Sequence, residues 1–233
     1  MGLPTVILPG YFASAIAYRQ LEQHLQQQGF PTTTVPLRRR DWIPTLGGYP
    51  VTPILQQLNR TVKQVLQQSG CSQINLIGHS AGGWIARIYL GEKPYWIPRG
   101  GNCSPQTWGA HASIATLVTL GTPHISQEQW TRQNLDFTNQ NYPDAFYPNV
   151  QYICVAGKAV YGERRWSTWI AYNSYQLTCG AGNSWGDGIT PIPAAHLQGA
   201  KNLTLEDVRH SPRNDSRWYG SADVVPIWAG YLS

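Results

Sequence analysis

The sequence predicts an α/β fold in which a mostly parallel central sheet is covered by helices on both faces. Short runs of strand-forming residues alternate with stretches of helical spacing from residue 5 onward, and this alternation is typical of parallel strands joined by crossover helices. The 233 residues are ample for a buried core. Because we find neither an internal repeat nor a break in composition, we expect a single domain over residues 1–233.

The predicted elements follow one another in chain order. Strands are expected at 5–8, 32–37, 74–78, 114–120, 150–155 and 203–205. Helices are expected at 15–28, 51–69, 81–91 and 224–232. Three excursions that carry tryptophan interrupt the pattern, at 38–50, 94–109 and 161–185. We expect all three to lie over the C-terminal edge of the sheet, where α/β proteins bind ligands.

Composition and charge exclude several classes of protein. Charged residues make up 12% of the chain, about half the usual fraction, which excludes coiled coils and acidic disordered proteins. The net charge is +5 and the one run of bases is residues 38–40. Since no nucleic-acid motif accompanies that run, we expect no nucleic-acid partner.

The four cysteines predict no metal site. Cys71, Cys103, Cys154 and Cys179 stand at wide, irregular spacings that match neither zinc ligands nor a redox pair. Whether any of them form disulfides stays open, as does the oligomeric state. The first residues carry no signal-peptide pattern and no apolar run reaches membrane-spanning length. We therefore expect a cytoplasmic protein, with peripheral contact to a membrane surface as a further option.

A candidate nucleophile lies in the segment Gly78-His79-Ser80-Ala81-Gly82, directly between a predicted strand and a predicted helix. A strand that turns sharply into a helix strains its middle residue, and glycine two positions on either side removes side chains that would collide. Ser80 is then exposed at a helix N-terminus, where N–H groups favour negative charge. The alternative is a glycine-rich turn with a capping serine. We expect the neighbouring His79 to pack beside this turn.

This context resembles the nucleophile elbow of the α/β-hydrolase family, and within it the small bacterial lipases. The segment Leu120-Gly121-Thr122-Pro123-His124 after a predicted strand is similar to one that those lipases carry. The resemblance implies a serine, acid and histidine in that chain order, and no cofactor.

The C-terminal third of the chain supplies the acid and the histidine. Asp187 lies between two glycines, and His210 follows 23 residues later, with an intervening segment similar to that of the lipases. The resemblance implies Ser80 as nucleophile, His210 as base and Asp187 as the acid that orients it. Asp144 is the alternative acid, because it precedes the predicted strand at 150–155. Turn and surface roles remain the alternatives for Asp187 and His210.

The resemblance also implies two backbone N–H groups that would bind an oxyanion. One belongs to Ala81, directly after the candidate nucleophile. The other belongs to Tyr11 in the segment Leu8-Pro9-Gly10-Tyr11-Phe12, in which Pro9 replaces the histidine usual in the family.

Aromatic residues of the excursions and of the loop after the first strand are candidates for substrate binding. These candidates are Phe12, Trp42, Trp96, Trp108, Trp166 and Trp185. Arginines in the same excursions, at 38–40, 99 and 164–165, suit contact with anionic headgroups. The alternative is that the aromatics close a small core and the arginines form a solvated rim.

The reaction implied is hydrolysis of a carboxylic ester through an acyl-enzyme. The overall run of the chain resembles lipases of cyanobacteria and chloroplasts, which implies a membrane glycerolipid substrate, either a galactolipid or a phospholipid. Two alternatives stay open. One is a soluble small-ester or thioester hydrolase or an acyltransferase, and the other is a non-catalytic ligand-binding protein of the same fold.

Overall fold

The centre of the computed structural model, which describes residues 2–100, 104–211 and 216–233, is a six-stranded parallel sheet. The strands of the chain are β1 (Thr5–Leu8), β2 (Thr32–Thr34), β3 (Ile74–His79), β4 (Ile114–Leu120), β5 (Gln151–Lys158), β6 (Val160–Tyr161), β7 (Trp185–Gly186) and β8 (Lys201–Glu206). The sheet order is β2-β1-β3-β4-β5-β8, and every neighbouring pair is parallel. Strands β6 and β7 form a separate antiparallel pair. The predicted fold class is confirmed.

Helices cover both faces of the sheet. They are α1 (Arg19–Gln27), α2 (Thr52–Ser69), α3 (Ala81–Leu90), α4 (Gln129–Asn141), α5 (Trp169–Cys179), α6 (Ile192–Ala195) and α7 (Val225–Ala229). Helices α2, α3 and α4 pack on one face and α1 and α7 on the other. Successive strand residues serve opposite faces. In β1, for example, Val6 and Leu8 belong to the first core and Ile7 to the second.

Two long helices lie where the sequence pattern predicted none. Helix α4 is mostly polar, with Leu135 as its one buried apolar side chain, so it lacks the apolar stripe that marks a helix in a sequence. Helix α5 lies inside the predicted excursion at 161–185. In the opposite direction, the strand expected at 32–37 is regular only over Thr32–Thr34.

The three excursions do not share one edge of the sheet. The segment at 38–50 follows β2 and forms 3₁₀ turns over Arg39–Gly48, and the segment at 161–185 follows β5, so both leave from the C-terminal edge. The excursion at 94–109 is rooted at the opposite edge, although it reaches the start of α2, where the Val51 N–H donates to the Tyr95 hydroxyl at 2.9 Å. It leaves the end of α3 and returns to the start of β4, and its base is closed at the N-terminal edge by the Gly109 N–H, which donates to the Gly91 carbonyl at 2.8 Å.

Three of the four cysteines, Cys71, Cys154 and Cys179, are free thiols, and Cys103 lies outside the described residues. Within the described ranges, no helix combines the length and the apolar character needed to cross a bilayer.

Candidate active site

The candidate nucleophile lies on a strained turn between β3 and α3. Ser80 has a φ of 53° and a ψ of −124°, a conformation that residues with a side chain rarely adopt. Such strain persists only where the surrounding structure enforces it. The turn presents the Ser80 side chain to a cavity at the C-terminal edge of the sheet.

Three glycines make room for this turn. A β-carbon on Gly78 would lie 2.4 Å from the Cα of Gly83, and one on Gly82 would lie 2.4 Å from the carbonyl oxygen of Leu8. A β-carbon on Gly10 would lie 2.8 Å from the β-carbon of Ser80. The loop after β1 and the elbow therefore approach each other too closely for side chains at these glycines.

Ser80, His210 and Asp187 form one hydrogen-bonded chain. The Ser80 hydroxyl lies 2.9 Å from His210 Nε2, and His210 Nδ1 lies 2.7 Å from Asp187 Oδ2. The carboxylate accepts from Nδ1–H, which leaves Nε2 as the acceptor for the serine proton. The alternative acid, Asp144, lies in a turn before β5 with a φ of 56° and has no recorded bond to His210.

Four donors hold the Asp187 carboxylate. Oδ1 accepts from the N–H groups of Ile189 and Thr190 at 2.9 and 2.7 Å, and Oδ2 accepts from His210 and from the Tyr219 hydroxyl at 2.7 Å. Burial raises the pKa of Asp187, but the charge of His210 and these hydrogen bonds outweigh it, so that the pKa lies below its usual value. Asp187 is therefore ionised and fixed in place.

A second buried series of hydrogen bonds connects the loop after β1, which carries Gly10 and Tyr11, to His210. The Gly10 N–H donates to the Tyr18 hydroxyl at 3.0 Å, and that hydroxyl donates to His79 Nδ1 at 2.7 Å. His79 Nε2–H then donates to the carbonyl of His210 at 2.7 Å. Burial, together with repulsion from His210, lowers the pKa of His79 to about 3. His79 thus packs beside the elbow as a neutral ring that joins two parts of the site.

The segment after β4 packs beneath the elbow. Gly121 has a φ of 56°, and a β-carbon on Gly83 would lie 2.0 Å from the Thr122 hydroxyl oxygen. His124 is buried, and its Nε2 lies 3.2 Å from the Thr119 hydroxyl. The backbone N–H of His124 donates to the Ala194 carbonyl. Burial and the nearby Arg87 guanidinium hold the pKa of His124 well below its usual value.

The two predicted oxyanion donors border the candidate nucleophile. Ala81 is the first residue of α3, so its N–H has no partner within the helix. Tyr11 lines the same cavity as Ser80. The loop that carries Tyr11 is braced from behind by Trp42, whose ring lies 4.9 Å from that of Tyr11 and whose Nε1–H donates to the Ala13 carbonyl at 3.0 Å.

A cavity of about 620 Å³ opens beside Ser80, and one of the six predicted substrate-binding aromatics, Phe12, lines it. Trp42 is fully buried. It anchors the loop that carries Tyr11 and does not line this cavity. Trp108 packs on the first core near Tyr89, and Trp96 belongs to the excursion rooted at the opposite edge. The other apolar and aromatic lining comes from Tyr11, Ala13, Ala17, Tyr18 and Ile189.

The last two aromatics lie on the acid side of the site. Trp166 is fully exposed and borders a separate shallow cavity with Trp169. Trp185 is half exposed, 5.3 Å from Tyr161 and beneath the ammonium group of Lys158. Neither lines the Ser80 cavity.

Sequence reasoning missed Tyr18, Thr190 and Tyr219. The Tyr18 hydroxyl bonds to His79, 61 residues away, and the Tyr219 hydroxyl bonds to Asp187, 32 residues away. The Thr190 N–H turns back on Asp187, and its hydroxyl donates to the Gly121 carbonyl, 69 residues away. A buried tyrosine has no local signature, so no pattern distinguishes these two tyrosines from the other eleven.

Two solved structures match nearly the whole chain. The monoacylglycerol lipase of Paleococcus ferrophilus aligns with a TM-score of 0.52 and 11% identity, covering 99% of this chain and 95% of that one. A gene product of Listeria innocua aligns with a TM-score of 0.51 and 13% identity, covering 100% and 96%. This chain has the α/β-hydrolase fold. The strained turn at Ser80 and the hydrogen-bonded pair Asp187–His210 lie at the sheet edge at which this fold binds ligands.

Sequence comparison reaches only part of this chain. Triacylglycerol lipases of Pseudarthrobacter phenanthrenivorans and Burkholderia plantarii are each 34% identical over 73 residues, or 31% of this chain. The matched stretch spans 18% and 16% of those two relatives, less than a fifth of each. No protein-family profile matches the chain.

Proposed function

We propose that this α/β-hydrolase is a carboxylic ester hydrolase of the lipase or esterase type, with Ser80 as nucleophile, His210 as general base and Asp187 as the orienting acid. The observation that carries the proposal is the unbroken hydrogen-bonded chain from the Ser80 hydroxyl through His210 to the ionised Asp187, at 2.9 and 2.7 Å. A buried histidine–carboxylate pair aimed at a strained, exposed serine is the arrangement that acyl transfer needs.

The first half of the reaction acylates Ser80. Its oxygen attacks the ester carbonyl carbon while His210 Nε2 takes the hydroxyl proton. The carbonyl oxygen becomes an oxyanion that the N–H groups of Tyr11 and Ala81 stabilise. When the tetrahedral intermediate collapses, the carbon–oxygen bond to the alcohol breaks, and the alcohol leaves with the proton from His210.

The second half repeats these steps with water. The water oxygen attacks the carbonyl carbon of the acyl-enzyme while His210 takes a proton from the water. His210 returns that proton to the Ser80 oxygen as the carboxylic acid product departs. The Asp187 carboxylate stabilises the imidazolium formed in each half. Since all four lone-pair directions of the carboxylate are occupied by donors, no reorientation is needed during the cycle.

We further propose that the substrates are acyl lipids such as the galactolipids or phospholipids of membranes. The relatives named above are triacylglycerol lipases, and one structural neighbour is a monoacylglycerol lipase. Apolar side chains of Phe12, Ala17 and Ile189 border the Ser80 cavity, which suits an acyl chain.

The decisive experiment compares the wild type with Ser80→Ala on p-nitrophenyl esters from short to long acyl chains, and on a dispersed galactolipid and a phospholipid. We expect Ser80→Ala to lose about 10⁶ in kcat, while Ser14→Ala, a serine of the same cavity with no capping bond, keeps wild-type rates. Cleavage of short esters alone would favour the soluble esterase alternative. If the wild type cleaves no ester, the proposal is wrong.

A further inference from the structure

An exposed apolar surface projects from the start of α5. We define the α5 ledge as Arg164, Arg165, Trp166, Trp169 and Ile170. The Trp166 side chain is fully exposed, Ile170 is 74% exposed and Trp169 is 49% exposed. Large apolar side chains grouped in this way on a surface mark contact sites for proteins or membranes.

The ledge is held in this position by its own contacts. Trp169 stacks on Tyr172 with ring centres 6.0 Å apart, and Arg164 lies over the same ring and donates to its hydroxyl at 2.8 Å. The Thr168 hydroxyl donates to the Glu163 carbonyl at 3.1 Å. The backbone that carries Trp166 is thus tied down while the indole points away from the protein.

The ledge is continuous with the active site. Arg164, Arg165, Trp166 and Trp169 line one shallow cavity of about 350 Å³. Ile170, the next residue in the chain, lines a second cavity of about 330 Å³ together with Asp187, Ile189 and His210. Ile189 and His210 also line the Ser80 cavity. The ledge therefore adjoins the opening beside Ser80 through Ile170.

The charge around this surface is positive. Arg39 lines the Ser80 cavity, Arg209 lines the cavity beside it, and Arg164 and Arg165 lie on the ledge; all four are exposed. Among the described residues, the ion pair recorded for these four joins Arg165 to Glu163 at 2.9 Å. Arg39 and Arg209 have no ion pair among the described residues, and Arg164 keeps its charge while it lies over Tyr172. Exposed indoles beside arginines suit the interface of a bilayer, where rings lie at headgroup level and cations contact phosphate or sulfate groups.

We propose that the α5 ledge docks this protein onto an anionic lipid bilayer and presents the Ser80 cavity to the membrane. The purpose of the contact rests on the proposed function, since it delivers membrane lipid to the nucleophile. The contact itself needs no catalysis and is tested without it.

The binding experiment uses full-length Ser80→Ala protein, which leaves the lipid intact. We measure co-sedimentation with vesicles of phosphatidylcholine alone and of phosphatidylcholine with about 30% phosphatidylglycerol. We expect binding to the anionic vesicles, weakened by salt because charge screening reduces attraction to the headgroups. Equal binding to both vesicles would overturn the anionic part of the proposal, and no binding to either would overturn all of it.

Variants in the same background locate the contact. Replacing Trp166 and Ile170 together by serine removes the most exposed apolar groups, and we expect affinity for anionic vesicles to fall about tenfold or more. We expect Arg164→Gln to lower the affinity for anionic vesicles about fivefold. The matched controls are Trp96→Ser, an exposed tryptophan outside these cavities, and Arg132→Gln, an exposed arginine on α4. Equal losses in the controls would contradict the proposal.

Two further readouts separate the alternatives. In the Ser80-containing protein, Trp166→Ser and Arg164→Gln, whose positions line only the separate cavity, should cleave a short soluble ester at wild-type rates. Failure of the proposed function is then seen as no cleavage by the wild type or by either variant, whatever the vesicle result. Sedimentation at rising concentration detects a second copy on the ledge. If the wild type forms a dimer that Trp166→Ser dissociates, and the monomer does not bind vesicles, the ledge contacts a second copy of this chain and the membrane proposal is wrong.

Discussion

The proposed catalytic site, formed by Ser80, Asp187 and His210, and the α5 ledge lie side by side and are built in opposite ways. Asp187 is buried with four donors on its carboxylate, and His210 is bonded through both ring nitrogens and its carbonyl. On the ledge, Trp166 is fully exposed. Burial and hydrogen bonding are concentrated at the proposed catalytic site, where catalysis would require a fixed geometry. They are sparse around Trp166, where a broad, non-directional contact would suffice.

The strongest test of the catalytic side is Asp187→Asn. The amide keeps the shape of the carboxylate but stabilises the wrong tautomer of His210, so we expect kcat for ester hydrolysis to fall about 10⁴-fold. Asp144→Asn is the matched control, because asparagine tolerates the positive φ at that position. Steady-state kinetics on a p-nitrophenyl ester measures both. If Asp144→Asn shows the larger loss, the acid has been assigned to the wrong loop.

Acid should lower the free energy of unfolding of the protein through two buried histidines, His79 and His124. His79 has a pKa of about 3 and that of His124 is well below 6.5. Both stay neutral in the folded protein while the unfolded chain binds protons below about pH 6.5, so stability falls as the pH drops. From pH 7 to 5 each histidine costs about 2 kcal/mol, or about 4 kcal/mol together.

Urea unfolding at the two pH values measures this difference. Asp187, whose pKa is lowered from 3.8, stays ionised across that range and adds nothing to the difference. His124→Gln should reduce the difference to about 2 kcal/mol, whatever it does to stability at pH 7. An unchanged difference in that variant would show that His124 is not held neutral by burial.

The chain from Gly10 through Tyr18 and His79 to His210 predicts a smaller kinetic effect. Tyr18→Phe removes a hydroxyl that bonds to both Gly10 and His79. The loop after β1 and His210 then lose the hydrogen bonds that connect them. We expect kcat to fall about tenfold with little change in KM, beside a loss of about 1–3 kcal/mol in stability.

Tyr89→Phe separates positioning from stability. That variant also loses a tyrosine hydroxyl bond, from Tyr89 to Asn59 at 3.2 Å, but on α3 away from the cavity. It should lower stability and leave kcat unchanged. A parallel fall of kcat in both variants would assign Tyr18 a merely structural role.

The smallest effect is expected on the ledge. Since Trp166 is fully exposed, Trp166→Ser should change the free energy of unfolding by less than about 0.5 kcal/mol. Urea unfolding of the wild type and the variant measures it. A loss of about 2 kcal/mol would mean that the indole packs on the protein in solution, and the contrast between the two regions would disappear.

The sequence predicts those parts of the molecule that are encoded locally. The order of strands and helices follows from apolar spacing, and the elbow at Ser80 follows from glycines at fixed offsets between a strand and a helix. The positions of Asp187 and His210 followed from family resemblance, and the structure brings both within hydrogen-bond distance of one another.

The remaining features depend on contacts between distant segments. Trp42 and Trp166 both lie in tryptophan-bearing excursions, yet one is buried under the Tyr11 loop and the other is fully exposed. Composition cannot separate them, because burial is decided by which neighbours fold over a side chain. The same holds for Tyr18 and Tyr219, and for the mostly polar helix α4, which packs through Leu135.

The turn after Asp187 has a consequence for how this protein can change. The acid is held there by the backbone N–H groups of Ile189 and Thr190, whereas the side chain of Ile189 faces the Ser80 cavity. Backbone amides are the same for nearly every amino acid, so a new side chain at position 189 alters the cavity wall and leaves the acid's partners intact. If Ser80, Asp187 and His210 act as proposed, selectivity for substrate can diverge at this position without a matching change in those three residues.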